Sequence, residues 1–306
     1  MIIDEFKNYY LARESAINKH FISASKNGNE NSIHELRVEI KKMRAFLELI
    51  KGITPNFDLK RAYTPIKNLF KTAAPIRDAQ VLQTMTREYI SQIGLDVNLS
   101  EYFNILKHQE MIAKRYFFKL CKKFDLSIFK KNWSTIEKTL LIFNKSGKND
   151  SQVNNKDNNE VNRDNNDHSE DNIIEHSKDY ILNLFTKLDS LKSKEILEEK
   201  DFHDIRIKCK KVRYTLEILS PIVSPKSFNT VNNSLKIVHQ PLGQWHDTDV
   251  AILLINNILS DQSLKPLFSE SSYNDMLKAF KIRKQHFNDL FIEHLKMFST
   301  QLTYSK

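Results

Sequence analysis

Apolar residues along the chain recur three and four positions apart. One run is Ile33, Leu36, Ile40, Met43, Leu47 and Ile50; later ones are Tyr102, Ile105, Leu106, Ile112 and Phe117, then Leu277, Phe280, Phe287, Leu290 and Phe291. At about 3.6 residues per turn, this spacing gathers the apolar side chains on one face and predicts amphipathic helices. Punctuation falls between the runs at Gly28, Gly52, Pro55, Pro75, Gly94, Pro221, Pro225 and Gly243. Thr64-Pro65 reads as an N-cap followed by proline at the first helical position. Four or more helices on each side of a polar middle segment predict two bundles.

That middle segment is compositionally distinct. From Asn144 to Asn172 the only aliphatic residues are Val153 and Val161, among Asn, Asp, Ser, Lys and Glu. It cannot bury enough apolar surface to offset its ordering entropy, so residues 144–172 are expected to be a disordered linker. The predicted organisation is a first helical repeat over 1–143, the linker, and a second helical repeat over 173–306. The linker holds four Lys/Arg against seven Asp/Glu, so the overall +9 becomes +12 on the helical remainder.

The composition narrows the function classes. With 5 Gly and 7 Pro in 306 residues, the chain lacks the tight turns of an all-β protein and the glycine loops of nucleotide-binding α/β enzymes. The N-terminus shows no basic-then-apolar secretory pattern, and aliphatic runs such as Val250–Ile255 are too short for a membrane helix. The two cysteines, Cys121 and Cys209, lack metal-binding or disulfide spacing and read as packing residues, as do Trp133 and Trp245. The reading is a soluble, reduced, cytoplasmic protein with a polyanionic partner.

Comparing the halves shows an internal duplication. His34-Glu35-Leu36-Arg37 and Lys41-Lys42-Met43-Arg44 reappear as His203-Asp204-Ile205-Arg206 and Lys210-Lys211-Val212-Arg213, every position offset by 169. The same offset pairs Lys67 with Lys236, Asp78 with Asp247, Val81 with Val250, and Lys114-Arg115 with Arg283-Lys284. The expected fold is therefore all-α: two pseudo-symmetric tandem bundles of the four-helix type.

Each copy carries a cationic stripe. At about 100° per residue, His34, Arg37, Lys41 and Arg44 fall within an arc of roughly 80°, as do His203, Arg206, Lys210 and Arg213. The apolar sets Leu36, Ile40, Met43, Leu47 and Ile205, Cys209, Val212, Leu216 lie on the neighbouring arc. Charges bordering the core face, and not opposite it, sit at the edge of a bundle interface where a groove can form. Like charges along one stripe repel; building two such stripes makes sense if an anion neutralises them.

The duplicated His-x-x-Arg-x-x-x-Lys-Lys-x-Arg helix, followed by Arg77-Asp78-Ala79-Gln80-Val81 in one half and by Leu242-Gly243 and His246-Asp247-x-x-Val250 in the other, resembles the CHAD domain, a conserved-histidine α-helical domain. The resemblance spans nearly the whole chain outside the linker. It implies two pseudo-symmetric four-helix bundles whose basic residues line a central cavity for inorganic polyphosphate, and association with polyphosphate granules. It assigns polyphosphate binding to His34, Arg37, Lys41, Lys42, Arg44, His203, Arg206, Lys210, Lys211 and Arg213. The Glu-x-Glu-x-Lys motif of the triphosphate-tunnel domain often fused to this family is missing, so no catalytic tunnel is implied.

Polyphosphate presents a row of negative charges and no bases, so its binder needs a linear array of cations. His34 and His203 read as phosphate-oxygen donors when protonated. Asp78 and Asp247 either cap helices or orient basic side chains. Neither a cofactor nor a metal is expected. Two rival functions remain. Nucleic acid fits the basic stripes, but no aromatic residues interleave with them to stack bases. His203-Asp204, His246-Asp247 and Asp249 resemble the ligand set of an HD-type metal-dependent phosphohydrolase, yet Arg206, Lys210 and Arg213 crowd them with charge that favours an anion over a metal.

Overall fold

The computed structural model describes residues 2–152, 168–194, 196–223, 225–261 and 269–303. Among them are nine helices and no strand: α1 Ile2–Asn27, α2 Glu30–Ile53, α3 Leu59–Ile93, α4 Ser100–Cys121, α5 Ile128–Gln152, α6 His168–Lys192, α7 Glu199–Val223, α8 Pro225–Ser260 and α9 Glu270–Thr303. The all-α expectation is met. Helix α5 runs to Gln152 and α6 starts at His168, both inside the stretch read as linker; residues 153–167 lie outside the described residues.

The offset of 169 also relates the helix boundaries. It carries the first residue of α2 onto that of α7, and moves α3 and α4 to within a few residues of α8 and α9. Only the first turns of α5 fall on α9 at this offset, at its far end, where α9 continues past the point at which α4 stops.

The halves do not form separate cores. One apolar cluster draws Phe6 and Tyr10 from α1, Ile40 and Phe46 from α2, Trp133 from α5, Ile181 from α6, Ile205 and Cys209 from α7, and Trp245 from α8. A second is built where the outer ends of two long hairpins meet: Leu82 and Ile90 of α3 and Tyr102 of α4 against Ile255 of α8 and Phe280 of α9. Tyr89 crosses this junction, donating to the Ala279 carbonyl at 2.9 Å and packing edge-on to Phe280. Each core thus needs both repeats, because half a core would leave an apolar helix face in water.

The apolar runs behave as their spacing predicts: Ile33, Leu36, Ile40, Met43 and Leu47 are all fully buried, and Ile112 alone of the α4 run is exposed. The punctuation holds at Gly28, Pro55 and Gly94, which lie between helices, and at Pro225, which opens α8; elsewhere it is overturned. Pro65 and Pro75 lie inside the 35-residue α3, Pro221 inside α7, and Gly243 inside α8. Each internal proline costs about 3 kcal/mol of local helix stability. In α3 the burial of Ile66, Leu69, Ala73 and Ile76 on both sides of the breaks offsets it. Thr64 does not cap α3; its hydroxyl bonds the Lys60 carbonyl, and Asp58 is the cap, accepting from the Arg61 amide at 2.9 Å.

Reciprocal ion pairs join the repeats. Lys42 reaches Glu217 at 3.1 Å, and Lys211 reaches Glu48 at 2.7 Å. Lys42 and Lys211 stand 169 residues apart, as do Glu48 and Glu217, so the same contact is made twice at equivalent positions of the two halves. Burial opposes the charge of Lys211, yet the Glu48 hydrogen bond raises its pKa. Replacing Glu48 and Glu217 together by Gln removes the cross-repeat partner of two half-buried ammonium groups, of which Lys42 keeps Glu39 at 3.5 Å. It is expected to cost about 1–2 kcal/mol per pair, read as a lower urea midpoint; an unchanged midpoint would show that these pairs do not hold the repeats together.

Candidate anion-binding site

Helices α2 and α7 pack against each other and bring part of the two predicted stripes into one cluster. Arg37 and Lys41 come from α2, and Arg206 and Lys210 from α7; all four are half-buried. They lie close enough to perturb one another across the repeats: Lys41 senses Arg206, and Lys210 senses Lys41.

An antiparallel register between α2 and α3 seats the first copy. Glu30 holds Arg77 at 2.7 Å, Arg37 lies 4.2 Å over the Phe70 ring, and Arg44 lies 5.5 Å over Tyr63. Seven residues forward on α2 match seven backward on α3. Arg37 also donates to the Phe70 carbonyl at 2.9 Å, and the Lys41 ammonium stands 5.7 Å from the same ring. In the second copy the position of Phe70 is taken by His239, and that of Arg77 by His246. The His246 ring packs 5.7 Å from that of His203.

Asp78 and Asp247 sit in the interior of α3 and α8 and are not helix caps. They face the cations: Asp78 senses Arg37, Lys41, Arg77 and Arg206, and Asp247 senses Arg206, Lys210 and Arg77. Of the two expected roles, orienting basic side chains is the one their position permits. Asp78 remains exposed to solvent, although the protein around it raises its pKa by desolvation.

The electrostatics show a shortage of negative charge. Burial first, then Arg206, Lys41 and Arg213, push Lys210 down to about 7, with only Asp247 opposing. Burial, Arg37, Arg206 and Arg77 push Lys41 down to about 8. Desolvation also lowers Arg37 and Arg206. His239 falls to about 3 and His246 to about 4, through burial and the surrounding cations. His34 is lowered by burial and by Arg77. Among the described residues, Nε of Arg206, Nε of Arg213 and Nε2 of His239 are buried without a hydrogen-bond partner. The cluster has donors and charge in excess of its two carboxylates, and the lowered lysine and histidine values relax if an anion enters.

The other predicted residues go elsewhere. Lys42 and Lys211 are committed to the ion pairs between repeats. Arg44 is paired with Glu48 at 2.8 Å on the outer side of α2. His34 and His203 stand at the entrance ends of their helices, His34 with Glu35 at 3.8 Å and His203 exposed. Arg213 adjoins Lys210 and His239. Sequence reasoning missed Phe70 and Tyr63, which do interleave with the cations, but from α3; their faces seat Arg37 and Arg44. It also missed His239 as a group of the cluster. Applying the offset of 169 to Phe70 would have found it. Among the described residues, no three His, Cys, Asp or Glu side chains are placed to hold a metal ion. No helix of the described residues is long and apolar enough to cross a membrane.

Comparisons place this arrangement. The CHAD domain crystal structure from the plant Ricinus communis is similar with a TM-score of 0.61 at 14% identity, over 97% of this chain and 92% of that one. PptA from Streptomyces chartreusis is similar with a TM-score of 0.57 at 11% identity, over 96% of this chain and 99% of that one. At such identities the likeness is one of fold. No curated protein sequence matches the chain. The CHAD domain family model matches residues 13–256, which include both histidine helices, the α3 and α8 carboxylates and the whole cationic cluster; the chain belongs to the CHAD domain family.

Proposed function

We propose that the protein binds inorganic polyphosphate at the α2–α7 cluster, as a ligand and not as a substrate. The observation that carries this reading is the excess of half-buried cations from both repeats over the carboxylates that face them. A phosphate chain supplies acceptors and charge without needing to be read base by base. Arg37, Lys41, Arg206 and Lys210 are the primary contacts, with Arg213, His34 and His203 flanking them. Lys42 and Lys211 serve the joint between repeats, and Arg44 stands at the outer edge. A binding role is favoured over a hydrolytic one by the groups present: the cluster is built of ammonium and guanidinium groups, and both aspartates are turned toward them. In a cell, the same contacts would draw the protein to polyphosphate granules.

Titration with long-chain polyphosphate over a range of salt, with duplex DNA as competitor, tests the reading. With about four phosphates neutralised, log affinity is expected to fall against log salt with a slope of about −3, taking the single-strand factor per contact. Excess DNA is expected not to displace the ligand. DNA binding as tightly as polyphosphate would reduce the cluster to a generic basic surface.

A further inference from the structure

Helix α4 takes no part in the cationic cluster. Its main packing is against α3, with lesser contact to α1. On its free side Met111, Ile112 and Tyr116 are 43%, 39% and 67% exposed, beside exposed Arg115, Lys119 and Lys123. We propose that this face docks the protein on an anionic lipid bilayer, with the basic side chains at the lipid phosphates and the three apolar ones in the interfacial layer. The proposal does not depend on what the α2–α7 cluster binds.

Charge on this face has one sign and few local partners. From Tyr102 to Lys123 six Lys/Arg stand against one carboxylate, Glu110. Glu110 is occupied by Lys114 at 2.7 Å and by the side-chain amides of Gln80 and Gln83 at 2.9 and 3.0 Å. Lys107, Arg115, Lys119, Lys122 and Lys123 are exposed and have no carboxylate partner among the described residues. The stretch 271–292 of the second repeat, at the offset of 169, has four Lys/Arg against two carboxylates. Of those four, Lys284 is held by Glu199 and Asp249, and Lys278 by Asp275.

The apolar residues share the arc of the cations. At about 100° per residue, with Met111 at zero, Lys122, Arg115 and Lys119 fall near about 20°, 40° and 80°, and Ile112 and Tyr116 near about 100° and 140°. Apolar groups therefore flank the basic stripe on both sides, within a stretch 107–123 that is about 24 Å long. The second half of α1 runs alongside, with Phe21 packed on Phe124 at 5.4 Å and Gly28 against the Lys114 side chain. It has the same character: residues 16–27 hold no carboxylate, and Lys19, Ile22 and Lys26 share one exposed face.

This combination selects a bilayer over other polyanions. Polyphosphate and the backbone of duplex DNA offer charge but no apolar phase, so exposed Met111 and Ile112 gain nothing from them. A bilayer offers both. Its mobile lipid phosphates gather under the stripe, while aliphatic side chains enter the headgroup boundary, where tyrosine is also favoured. Each Lys or Arg close to an anionic leaflet adds about five-fold in affinity, and the effect fades with salt.

Flotation of the full chain with lipid vesicles tests the proposal, using phosphatidylcholine alone and phosphatidylcholine with about 30% phosphatidylserine. Binding to the anionic vesicles is expected to be at least about ten-fold tighter. Arg115→Glu/Lys119→Glu is expected to weaken it by about 25-fold or more, and Ile112→Ser/Tyr116→Ser by about five- to ten-fold. All four side chains face solvent, and helicity by circular dichroism checks that the variants fold. Lys278→Glu/Lys281→Glu on α9 makes the same change in charge and is expected to lose less than about three-fold. Equal binding to the two kinds of vesicle overturns the proposal. So does a loss from the α9 control as large as that from α4, which would reduce the effect to net charge. Full binding by the serine variant overturns it too, because the apolar side chains then enter nothing. If Arg115→Glu/Lys119→Glu loses affinity for duplex DNA and keeps it for the vesicles, the face belongs to nucleic acid and not to lipid.

Discussion

Reversing Arg37 and Arg206 together to Glu is expected to lower polyphosphate affinity by about 10² to 10⁴. Each guanidinium is half-buried beside a lysine of its own helix, and both act on Lys41. A charge-assisted hydrogen bond in such a setting contributes about 1.5–3 kcal/mol, so two lost contacts give about 3–6 kcal/mol before any repulsion from the new carboxylates. Either single reversal should give about half that free-energy loss, since the two residues hold equivalent places in the two repeats. Arg37 also donates to the Phe70 carbonyl and lies on its ring, so part of the change could act through stability. Arg37→Met/Arg206→Met, with its unfolding midpoint measured beside its affinity, separates the two effects: it keeps apolar bulk over Phe70 and adds no carboxylate, while losing the guanidinium charge and its hydrogen bond to the Phe70 carbonyl. Binding that stays within a few-fold in either double variant, with helicity retained by circular dichroism, would place the site elsewhere.

The second large effect is on pH dependence. In the free protein Lys210 is held at about 7 and Lys41 at about 8, mainly by burial and then by neighbouring cations. Bound phosphate favours the ammonium forms and returns both values toward the ordinary lysine range. The complex then holds more protons than the free protein at any pH above about 7, so binding takes up protons and affinity falls as pH rises. Each lysine contributes up to tenfold per unit between its free and bound values. From pH 7 to 9 the expected fall is about 10² to 10³. In that window His239 and His246 are already neutral in the free protein, at about 3 and 4. Lys41→Arg/Lys210→Arg keeps the charge but removes the titration, since guanidinium stays protonated, and its affinity is expected to be nearly flat over the same range. A flat profile in the unaltered protein, or an unaltered slope in the arginine variant, would remove these lysines from the site.

Both predictions use residues legible in the sequence, and their placement follows from periodicity alone. His34, Arg37, Lys41 and Arg44 share one face because three- and seven-residue steps nearly close whole turns. Lys42 lies about 80° to the other side of His34 on the same helix. That angle points it past the cluster and toward Glu217 of the other repeat, where the structure finds it. The family resemblance assigned it to the ligand with the rest. Spacing says which side chains travel together; it does not say what stands opposite them.

What stands opposite is decided by how helices cross. The antiparallel register of α2 and α3 brings Phe70 under Arg37 and Tyr63 under Arg44, across 33 and 19 residues of chain. No local pattern encodes that register. It is fixed by apolar faces such as those of Ile40 and Leu69 finding a common core. The same holds for the prolines. Read locally, Pro65 and Pro75 break a helix; in the folded protein the buried residues around them hold α3 as one element. The linker reading shows the opposite limit, because helices α5 and α6 extend into a stretch whose composition alone predicts no structure.

The sequence by itself determined the all-helical class, the match of its two halves at an offset of 169, the identity of most core positions and the two cationic stripes. These are properties of one helix at a time, or of the chain compared with itself. Only the tertiary structure decided that each core is shared between the repeats, and that Asp78 and Asp247 face cations and do not cap helices. It also decided that Lys42 and Lys211 close the joint while Lys41 and Lys210 are left short of counter-charge. The physical reason is that electrostatic and packing energies depend on distances between segments far apart in the chain. Those distances are set when α2 and α7 come together and exclude water between them.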